Sequence, residues 1–261
     1  MAKTAVAHPP SQTLAKGLKI LEMFSAQQPT WGIRELAREL DMNPATVNRM
    51  VHTLRSAGYL AQDPETLRYS LGPVVMKLAS LYMHQNPLPE VARRVFESYA
   101  EHFEYNFYLG TLSDYQVIYL AVLDGRGRIK VMVETGGSTG LHTTALGKVL
   151  LAFQTDEFIE TFIKHSGLRP FSRNSITDPN LLWQQIREIR RTGIAINQGE
   201  HFEDIAAIAA PVFGRNGQII AGVSLAYPRY LYPDLDAYQA ELTPLLREVA
   251  GEINAYTAAH A

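Results

Sequence analysis

The chain has 261 residues with a formal net charge of −2, and 46% of its residues are hydrophobic. This length allows one large or two modest domains with substantial cores, and the near-zero charge provides no strong overall attraction to DNA. The chain contains no cysteine, which excludes disulfides and thiolate metal sites and favours a cytoplasmic protein. Its apolar runs are too short to span a bilayer, so we expect no membrane partner.

Residues 1–12 are polar, contain a pair of prolines and lack the long apolar core of a secretory signal, so we expect a disordered arm. The chain is weakly basic as far as residue 72 and weakly acidic beyond it. This distribution favours a DNA-binding domain attached to a domain of another kind. Apolar residues at helical spacing between Gln12 and Ala26 predict the first amphipathic helix.

Two further helices joined by a tight turn are predicted next. Apolar residues repeat at helical spacing from Ile33 to Leu40, which indicates the first of them. Asn43 is a good N-cap and Pro44 suits the first position of a helix, so the second helix should begin there. Gly58 then provides a common C-terminal stop.

Residues 59–61 and 68–71 predict two short strands directly after the second helix, with a turn at residues 63–65 between them. Helices and strands together form a winged helix-turn-helix pattern. The alternative is an ordinary surface helix in an α-helical hairpin, because many helix pairs share the same spacing. The wing that follows Gly58 favours DNA binding.

The face of the second helix opposite its apolar stripe carries short polar side chains, one arginine and no acid. A helix in the major groove needs such a face, since it allows close approach without repulsion from phosphates. Arg49 could pair with guanine or hold a phosphate, while Arg68 in the wing and Arg34 suit phosphates. The predicted DNA-binding residues are Arg34, Asn43, Ala45, Thr46, Asn48, Arg49, His52, Thr53 and Arg68.

From Pro73 to Leu88 the pattern predicts a linker helix whose apolar side needs cover, and a partner subunit is a natural source of it. Beyond residue 88 strands and helices alternate, which predicts an α+β domain around a mostly antiparallel sheet with helices on both faces. Strands are expected at 105–112, 115–123, 128–134, 194–197, 205–213 and 218–227, and residues 135–141 are expected to form a flexible loop.

A glycine-rich loop runs into Thr143 and Thr144, either of which can cap the helix predicted at residues 145–153. Free N–H groups at such a helix start bind carboxylates, although plain capping without a ligand is the simpler interpretation. No catalytic or metal-binding spacing is present, so we expect no enzyme, metal or cofactor. The acids around His201 could hold a metal or act as a base, but an exposed polar loop is favoured.

Several short motifs, each modest alone, occur in an order and spacing that together are highly specific. They are Leu36-Ala37-Arg38, Thr46-Val47 with Arg49, Leu54 with Gly58-Tyr59, Asp63-Pro64-Glu65-Thr66, Tyr69-Ser70-Leu71-Gly72, Leu141-His142, Thr144-Ala145-Leu146-Gly147-Lys148, Ile176-Thr177-Asp178 and Ala209-Ala210-Pro211-Val212. With them the chain resembles the IclR family of bacterial transcriptional regulators from about Thr13 to its end.

The resemblance implies a winged helix-turn-helix domain at residues 13–72, a linker helix at 73–88 and a GAF-like effector-binding domain at 89–261. It also implies homodimers or dimers of dimers, operator DNA and a small carboxylic-acid effector. By resemblance the effector pocket is lined by Thr143, Thr144, Ala145, Leu146, Asn197, Ile205, Ala207, Ser224 and Ala226.

Three departures from the family pattern matter. Ala207 and Ala226 stand where the family commonly has cysteine and serine, which makes the pocket larger and less polar. With Phe107, and Tyr105 beside it, on a nearby strand, an aromatic acid should fit better than a short aliphatic one. Leu67 replaces a glycine of the wing, so its turn type is open.

The sequence therefore predicts a ligand-responsive regulator of a catabolic operon, with an aromatic carboxylate as its effector. Two alternatives stay open. The chain could sense a short aliphatic acid, or it could be a ligand-binding or protein-interaction module that no longer contacts DNA.

Overall fold

The computed structural model describes residues 11–100, 105–126 and 133–260, and the chain divides into two compact units between Asn86 and Pro87. The winged helix-turn-helix fold expected of the first unit and the α+β fold expected of the second are both confirmed. The helix from Pro73 belongs to the first unit. None of the helices in these described ranges is long and apolar enough to cross a membrane.

Four helices and a two-stranded sheet make up the first unit. They are α1 (Gln12–Glu22), α2 (Ile33–Glu39), α3 (Pro44–Ser56), β1 (Leu60–Gln62), β2 (Tyr69–Leu71) and α4 (Pro73–Gln85). Helix α1 ends four residues before the predicted Ala26. It also begins inside the predicted disordered arm, because Ser11 caps it through the N–H of Leu14. Residues 1–10 of that arm lie outside the described residues.

Local side chains set both ends of α3 and the shape of the wing. Asn43 Oδ1 accepts the N–H of Ala45 at 2.8 Å, and Pro44 occupies the first turn, as predicted. In the wing, Leu67 adopts the left-handed conformation with φ 58°, which glycine adopts without strain. The wing therefore keeps the backbone that a glycine would favour, although its residue carries a side chain.

The core of the first unit forms where α1, α2, α3 and the wing meet. Ile20, Leu36, Val47, Val51 and Tyr69 are almost completely buried in it.

Helix α4 stands apart from this core, since none of its residues is buried. Its most exposed apolar side chain is Met76, with 74% of its surface accessible, and Leu78, Leu81 and Tyr82 are also exposed.

The second unit is built on one six-stranded sheet. Its elements are α5 (Leu88–Ala100), β3 (Asn106–Ser113), β4 (Gln116–Leu123), β5 (Ser138–Gly140), α6 (Ala145–Ala152), α7 (Asp156–Ser166), α8 (Pro179–Thr192), β6 (Ala195–Gln198), β7 (Ile205–Phe213), β8 (Ile219–Pro228), a short 3₁₀ helix (Arg229–Leu231) and α9 (Leu235–His260). The strand order is β5-β4-β3-β8-β7-β6, and every described pair is antiparallel.

Two predictions for this unit need comment. The segment 135–141 was expected to be a flexible loop, but Ser138–Gly140 pairs with β4 as an edge strand. The strand expected at 128–134 falls largely on residues 127–132, which lie outside the described residues.

Both faces of the sheet are covered, as the apolar runs of β7 and β8 predicted. One core forms with α5 and α9 and contains Phe96 and Phe107. The other core forms with α6, α7 and α8 and contains Tyr108 and Leu146. Helix α6 lies between α8 and the strands, and all eight of its residues are buried.

Helix α6 approaches the sheet closely because two strands present glycine beneath it. A Cβ on Gly110 of β3 would lie 2.7 Å from a methyl carbon of Leu146, and one on Gly222 of β8 would lie 2.8 Å from the other. Since carbon atoms need about 3.5–4 Å, only glycine lets Leu146 rest on these strands.

Candidate DNA-binding surface and effector site

The exposed side of α3 is the side that the sequence predicted. Ala45, Asn48, Arg49, His52 and Thr53 are exposed, and Thr46 is half-buried. The Thr53 hydroxyl donates to the carbonyl of Arg49 at 3.0 Å, so its proton is already used in a hydrogen bond within the helix. The helix carries no acidic side chain, and this face remains open to a partner.

Two arginines of this unit are free to contact phosphates or bases. Arg34 near the start of α2 and Arg49 on α3 are both exposed. Within residues 11–100 neither guanidinium forms an ion pair with a carboxylate that the structure describes. Each can therefore offer its full set of N–H donors.

Arg68 is used differently from the prediction. Its Nη1 and Nη2 donate to the two carboxylate oxygens of Glu35 at 3.1 and 2.7 Å, and Nε and Nη2 donate to Thr30 at 3.1 and 3.0 Å. The bonds to Arg68 and to the N–H of Gly32 hold the pKa of Glu35 below its usual range. The expectation that Arg68 serves as a phosphate contact is thus corrected, because it ties the wing to the start of α2.

Two lysines of α1 were missed by the sequence analysis. Lys16 and Lys19 are exposed, and they line a groove of about 470 Å³ together with Asn43 and Thr46. Their spacing of three residues places them on one face of the helix, which was the available signal. Glu39 and Asp41 line the same groove, so the two lysines supply positive groups beside the start of α3 without giving the groove a net charge.

In the second unit, Thr144 caps helix α6. Its hydroxyl accepts the N–H of Gly147 at 2.9 Å and donates to the carbonyl of Gly140 at 3.0 Å. The N–H groups of Ala145 and Leu146 find no acceptor in the described part of the chain, although these residues are only 1% and 3% exposed. Two buried N–H groups at a helix start provide a place for a carboxylate.

Small side chains lie on the sheet face that α6 covers. Asn197, Ala207 and Ala226 stand side by side on β6, β7 and β8. Ser224 pairs with Tyr108 of β3 in the neighbouring row. The structure therefore brings Thr143, Thr144, Ala145, Leu146, Asn197, Ile205, Ala207, Ser224 and Ala226 to one side of the sheet.

Phe107 is the exception, and its expected place in the pocket is corrected. It is fully buried on the opposite face, where its ring centroid lies 5.4 Å from that of Phe96. Tyr105, which the sequence analysis placed beside it, also packs on that side. Side chains alternate between the two faces of a strand, so the aromatic residue on the α6 face is Tyr108.

Two polar side chains of the predicted pocket form hydrogen bonds with backbone groups of the protein. The Asn197 amide donates to the carbonyl of Thr143 and accepts the N–H groups of Gly199 and Glu200 at 2.8 and 3.2 Å. The Ser224 hydroxyl donates to the carbonyl of Ile208 at 2.9 Å. These side chains help to shape the site, and the hydrogen bonds described here are formed within the protein.

Two loops are joined beside the start of α6. His201 Nδ1 lies 2.9 Å from the hydroxyl of Thr143, and its ring packs on Phe171 with centroids 4.6 Å apart. The Ser172 and Ser175 hydroxyls donate to the carbonyls of Gly199 and Glu200 at 2.7 and 2.6 Å. Loop 169–175 and loop 199–204 thus form one cover.

A buried ion pair fixes this cover to α6. Lys148 Nζ lies 2.7 Å from both carboxylate oxygens of Glu200 and 2.8 Å from the amide oxygen of Gln185. Burial lowers the pKa of Lys148 and raises the pKa of Glu200, since it disfavours both charges. The interpretation of residues 200–204 as an exposed polar loop is corrected for Glu200, which is only 7% exposed.

Across the described residues, no group of three or more His, Asp or Glu side chains could hold a metal ion.

Comparisons with known proteins agree with both halves of this arrangement. Residues 13–64 match the model of the IclR helix-turn-helix domain, and residues 80–255 match that of the bacterial transcriptional regulator IclR C-terminal domain. The HTH-type transcriptional regulator BhcR of Paracoccus denitrificans is 28% identical over 93% of this chain and 86% of its own length.

Solved structures share the fold. The crystal structure of an IclR transcriptional regulator from Silicibacter sp. TM1040 superposes with a TM-score of 0.85 and 28% identity, covering 94% of this chain and 96% of that one. An IclR homolog from Microbacterium hydrocarbonoxydans, solved with 4-hydroxybenzoate, has a TM-score of 0.74 and 22% identity, with 95% and 100% covered. The chain belongs to the IclR family of bacterial transcriptional regulators, proteins that are not enzymes.

Proposed function

We propose that this regulator controls a catabolic operon by binding operator DNA through α3 and a small aromatic carboxylate through the second unit. The observation that carries the effector assignment is the pair of buried N–H groups at Ala145 and Leu146, which lack an acceptor in the described ranges. Buried donors without a partner are rare in proteins, so they call for an explanation.

The DNA-binding role rests on the open, acid-free face of α3. Arg49 lies there without a carboxylate partner among the described residues, and Asn48 and His52 beside it are exposed. Arg34, Lys16 and Lys19 supply further charge for phosphates. Arg68 is left out of this proposal because its guanidinium is bonded to Glu35 and Thr30.

The preference for an aromatic acid rests on the sheet face beneath α6. Ala207 and Ala226 offer only methyl groups to a ligand, and Tyr108 and Tyr119 bring aromatic surface to the same core. An acid with a flat apolar body uses such walls better than a short aliphatic acid, which would leave them uncovered. The same fold holds 4-hydroxybenzoate in the Microbacterium homolog.

We also propose that the protein works as a homodimer or a dimer of dimers. Helix α4 exposes Met76, Leu78, Leu81 and Tyr82, and a second copy of the chain would cover them. Sedimentation of a monomer at operator-binding concentrations would contradict this. Effector binding must favour one arrangement of the two DNA-binding units over another, or it regulates nothing.

The experiment uses a fluorescent duplex that the wild-type protein selects from a random library. We expect Arg49→Ala to weaken binding by about 10- to 100-fold, the cost of one base or phosphate contact. Arg94→Ala on α5 is the matched control, since it removes the same charge from an exposed position of the second unit and should leave binding unchanged. Benzoate, pyruvate and acetate are then added, and calorimetry measures their binding to the full chain.

Equal, salt-insensitive binding by wild type and Arg49→Ala would favour the alternative of a module without a DNA role. Binding of pyruvate or acetate with no binding of benzoate would favour the alternative of a sensor for short aliphatic acids. Benzoate that binds and changes the affinity for the duplex would support the full proposal.

A further inference from the structure

We propose that the hydroxyl of Tyr108 is a hydrogen-bonding partner for a second polar group on the effector, which makes the effector a hydroxylated aromatic carboxylate. This inference deepens the proposed function and rests on it. Tyr108 is 4% exposed, and its hydroxyl has no hydrogen-bond partner among the described residues. A phenol buried without a partner costs free energy, so the site calls for a bound group at that point.

The position of Tyr108 relative to α6 supports this assignment. Gly110 lies two residues further along β3 on the same face, directly beneath the side chain of Leu146. Two residues of a strand span roughly 7 Å. The backbone of Tyr108 therefore lies roughly 7 Å along the strand from the glycine beneath Leu146, and its side chain belongs to the same core as Ala145 and Leu146.

The neighbours of Tyr108 leave its hydroxyl unoccupied. On the sheet it stands between Val122 of β4 and Ser224 of β8. Val122 has no polar side-chain atom, and the Ser224 hydroxyl donates to the carbonyl of Ile208. Burial raises the pKa of the Tyr108 phenol, with Tyr119 and Asp124 adding to the effect, so the group keeps its proton and can both donate and accept.

Tyr119 provides a matched comparison. Its ring centroid lies 5.6 Å from that of Tyr108, it belongs to the same core, and its hydroxyl is bonded to Thr139. Tyr108 and Tyr119 thus share one core, and of these two hydroxyls only that of Tyr108 lacks a partner among the described residues. The Tyr108 hydroxyl is available to a ligand, whereas the Tyr119 hydroxyl forms a hydrogen bond within the fold.

The test measures the affinity of the full chain for benzoate, 3-hydroxybenzoate and 4-hydroxybenzoate by calorimetry. We expect wild type to bind one hydroxybenzoate at least about 10-fold tighter than benzoate. Tyr108→Phe should weaken that binding by about 10- to 100-fold and so remove the preference over benzoate, because the lost bond leaves the ligand hydroxyl unpaired. Tyr119→Phe should retain the preference.

A second measurement is independent of any ligand. Without effector, Tyr108→Phe should unfold at the wild-type temperature or above, whereas Tyr119→Phe should unfold at a lower temperature because it loses a bond. Equal losses in both variants would mean that the Tyr108 hydroxyl already has a partner, and would overturn the inference.

The failures of the two proposals are distinguishable. Wild type that binds benzoate as tightly as both hydroxybenzoates, or a Tyr108→Phe variant that keeps the preference, overturns this inference and leaves the sensor role standing. Wild type that binds none of the three acids overturns both.

Discussion

Arg49 and Arg68 have the same chemistry, and their surroundings give them different roles. Arg68 meets the carboxylate of Glu35 and the backbone of Thr30, so four of its five N–H groups are used inside the unit. Arg49 points outward with no such partner in residues 11–100. Arg68 links the wing to α2, and Arg49 is exposed as the proposed DNA contact.

We therefore expect Arg68→Ala and Arg49→Ala to separate stability from DNA binding. Arg68→Ala should lower the urea midpoint of the DNA-binding unit by roughly a few tenths molar, a modest effect because the ion pair is partly exposed. Arg49→Ala should leave that midpoint unchanged. Urea unfolding of the full chain carrying Trp183→Phe, which leaves Trp31 as its one tryptophan, is followed by fluorescence and measures both.

The opposite pattern would restore Arg68 as a phosphate contact. That pattern is an unchanged urea midpoint for Arg68→Ala together with a loss of DNA affinity as large as that of Arg49→Ala.

The residues of β3 show where sequence reasoning ends. Asn106 to Gly110 are all buried, so the strand has no polar side from which its faces could be assigned. Placing Phe107 rather than Tyr108 in the pocket was a choice between neighbours that hydropathy does not distinguish. Only the register with β4 and β8 decides it.

At the scale of elements, features set by local chemistry were predictable and features set by distant pairing were not. Asn43 caps the start of α3 and Gly58 follows its end in the left-handed conformation, both as expected, since a cap depends on residues within one turn. Strand β5 was expected to be a loop. It is a strand because β4 offers it an edge, which its own glycine-rich sequence does not indicate.

Helix α6 carries the N–H groups of the proposed effector site, and Lys148 links the helix to the cover. This lysine belongs to a Gly-Lys motif that faintly resembles a phosphate loop, but its ammonium is fully buried against Glu200. A buried ion pair is costly to break, because removing one partner leaves the other charge buried and unpaired.

Lys148→Met should destabilise the second unit by about 3 kcal/mol at pH 7, measured by chemical denaturation of the full chain. The loss should shrink as pH falls, since burial raises the pKa of Glu200 and the unpaired carboxyl can then take up a proton.

The double variant Lys148→Met/Glu200→Leu should recover most of the loss, because no charge is left buried. A double variant as unstable as the two single changes added together would show that the pair does not interact energetically.

At the scale of the whole molecule, His201 of the cover and His142, which lies against Arg169 and Phe171 of the cover, should make stability depend on pH. Burial lowers the pKa of His142, with Lys148 adding to it, and burial lowers the pKa of His201, with His142 adding to it. Both rings are therefore neutral in the folded protein at pH 7. A histidine in the unfolded chain takes up a proton near pH 6.5. Below about that pH the unfolded chain therefore binds more protons than the folded protein, which lowers the free energy of unfolding.

We expect the two histidines to make their full contribution to the free energy of unfolding of the second unit above about pH 6.5. That free energy should decrease as the pH is lowered below this value. Each histidine contributes at most about 1.4 kcal/mol per pH unit. Denaturant titrations between pH 7.5 and 5 measure this, and His142→Gln/His201→Gln should flatten the curve. A double variant with the wild-type slope would assign the dependence to other groups.

The glycines beneath Leu146 have a consequence for engineering this protein as a biosensor. A Cβ at Gly110 or Gly222 would lie within 2.8 Å of a methyl carbon of Leu146, so a substitution there should force that side chain to move and disturb the packing of α6 on the strands. Ala207 and Ala226 lie on the same face of the sheet, and under the proposed function a larger or polar side chain at either position should change which acids the protein binds. A mutant library that varies residues 207 and 226 and keeps both glycines should therefore give the largest number of variants with altered effector binding.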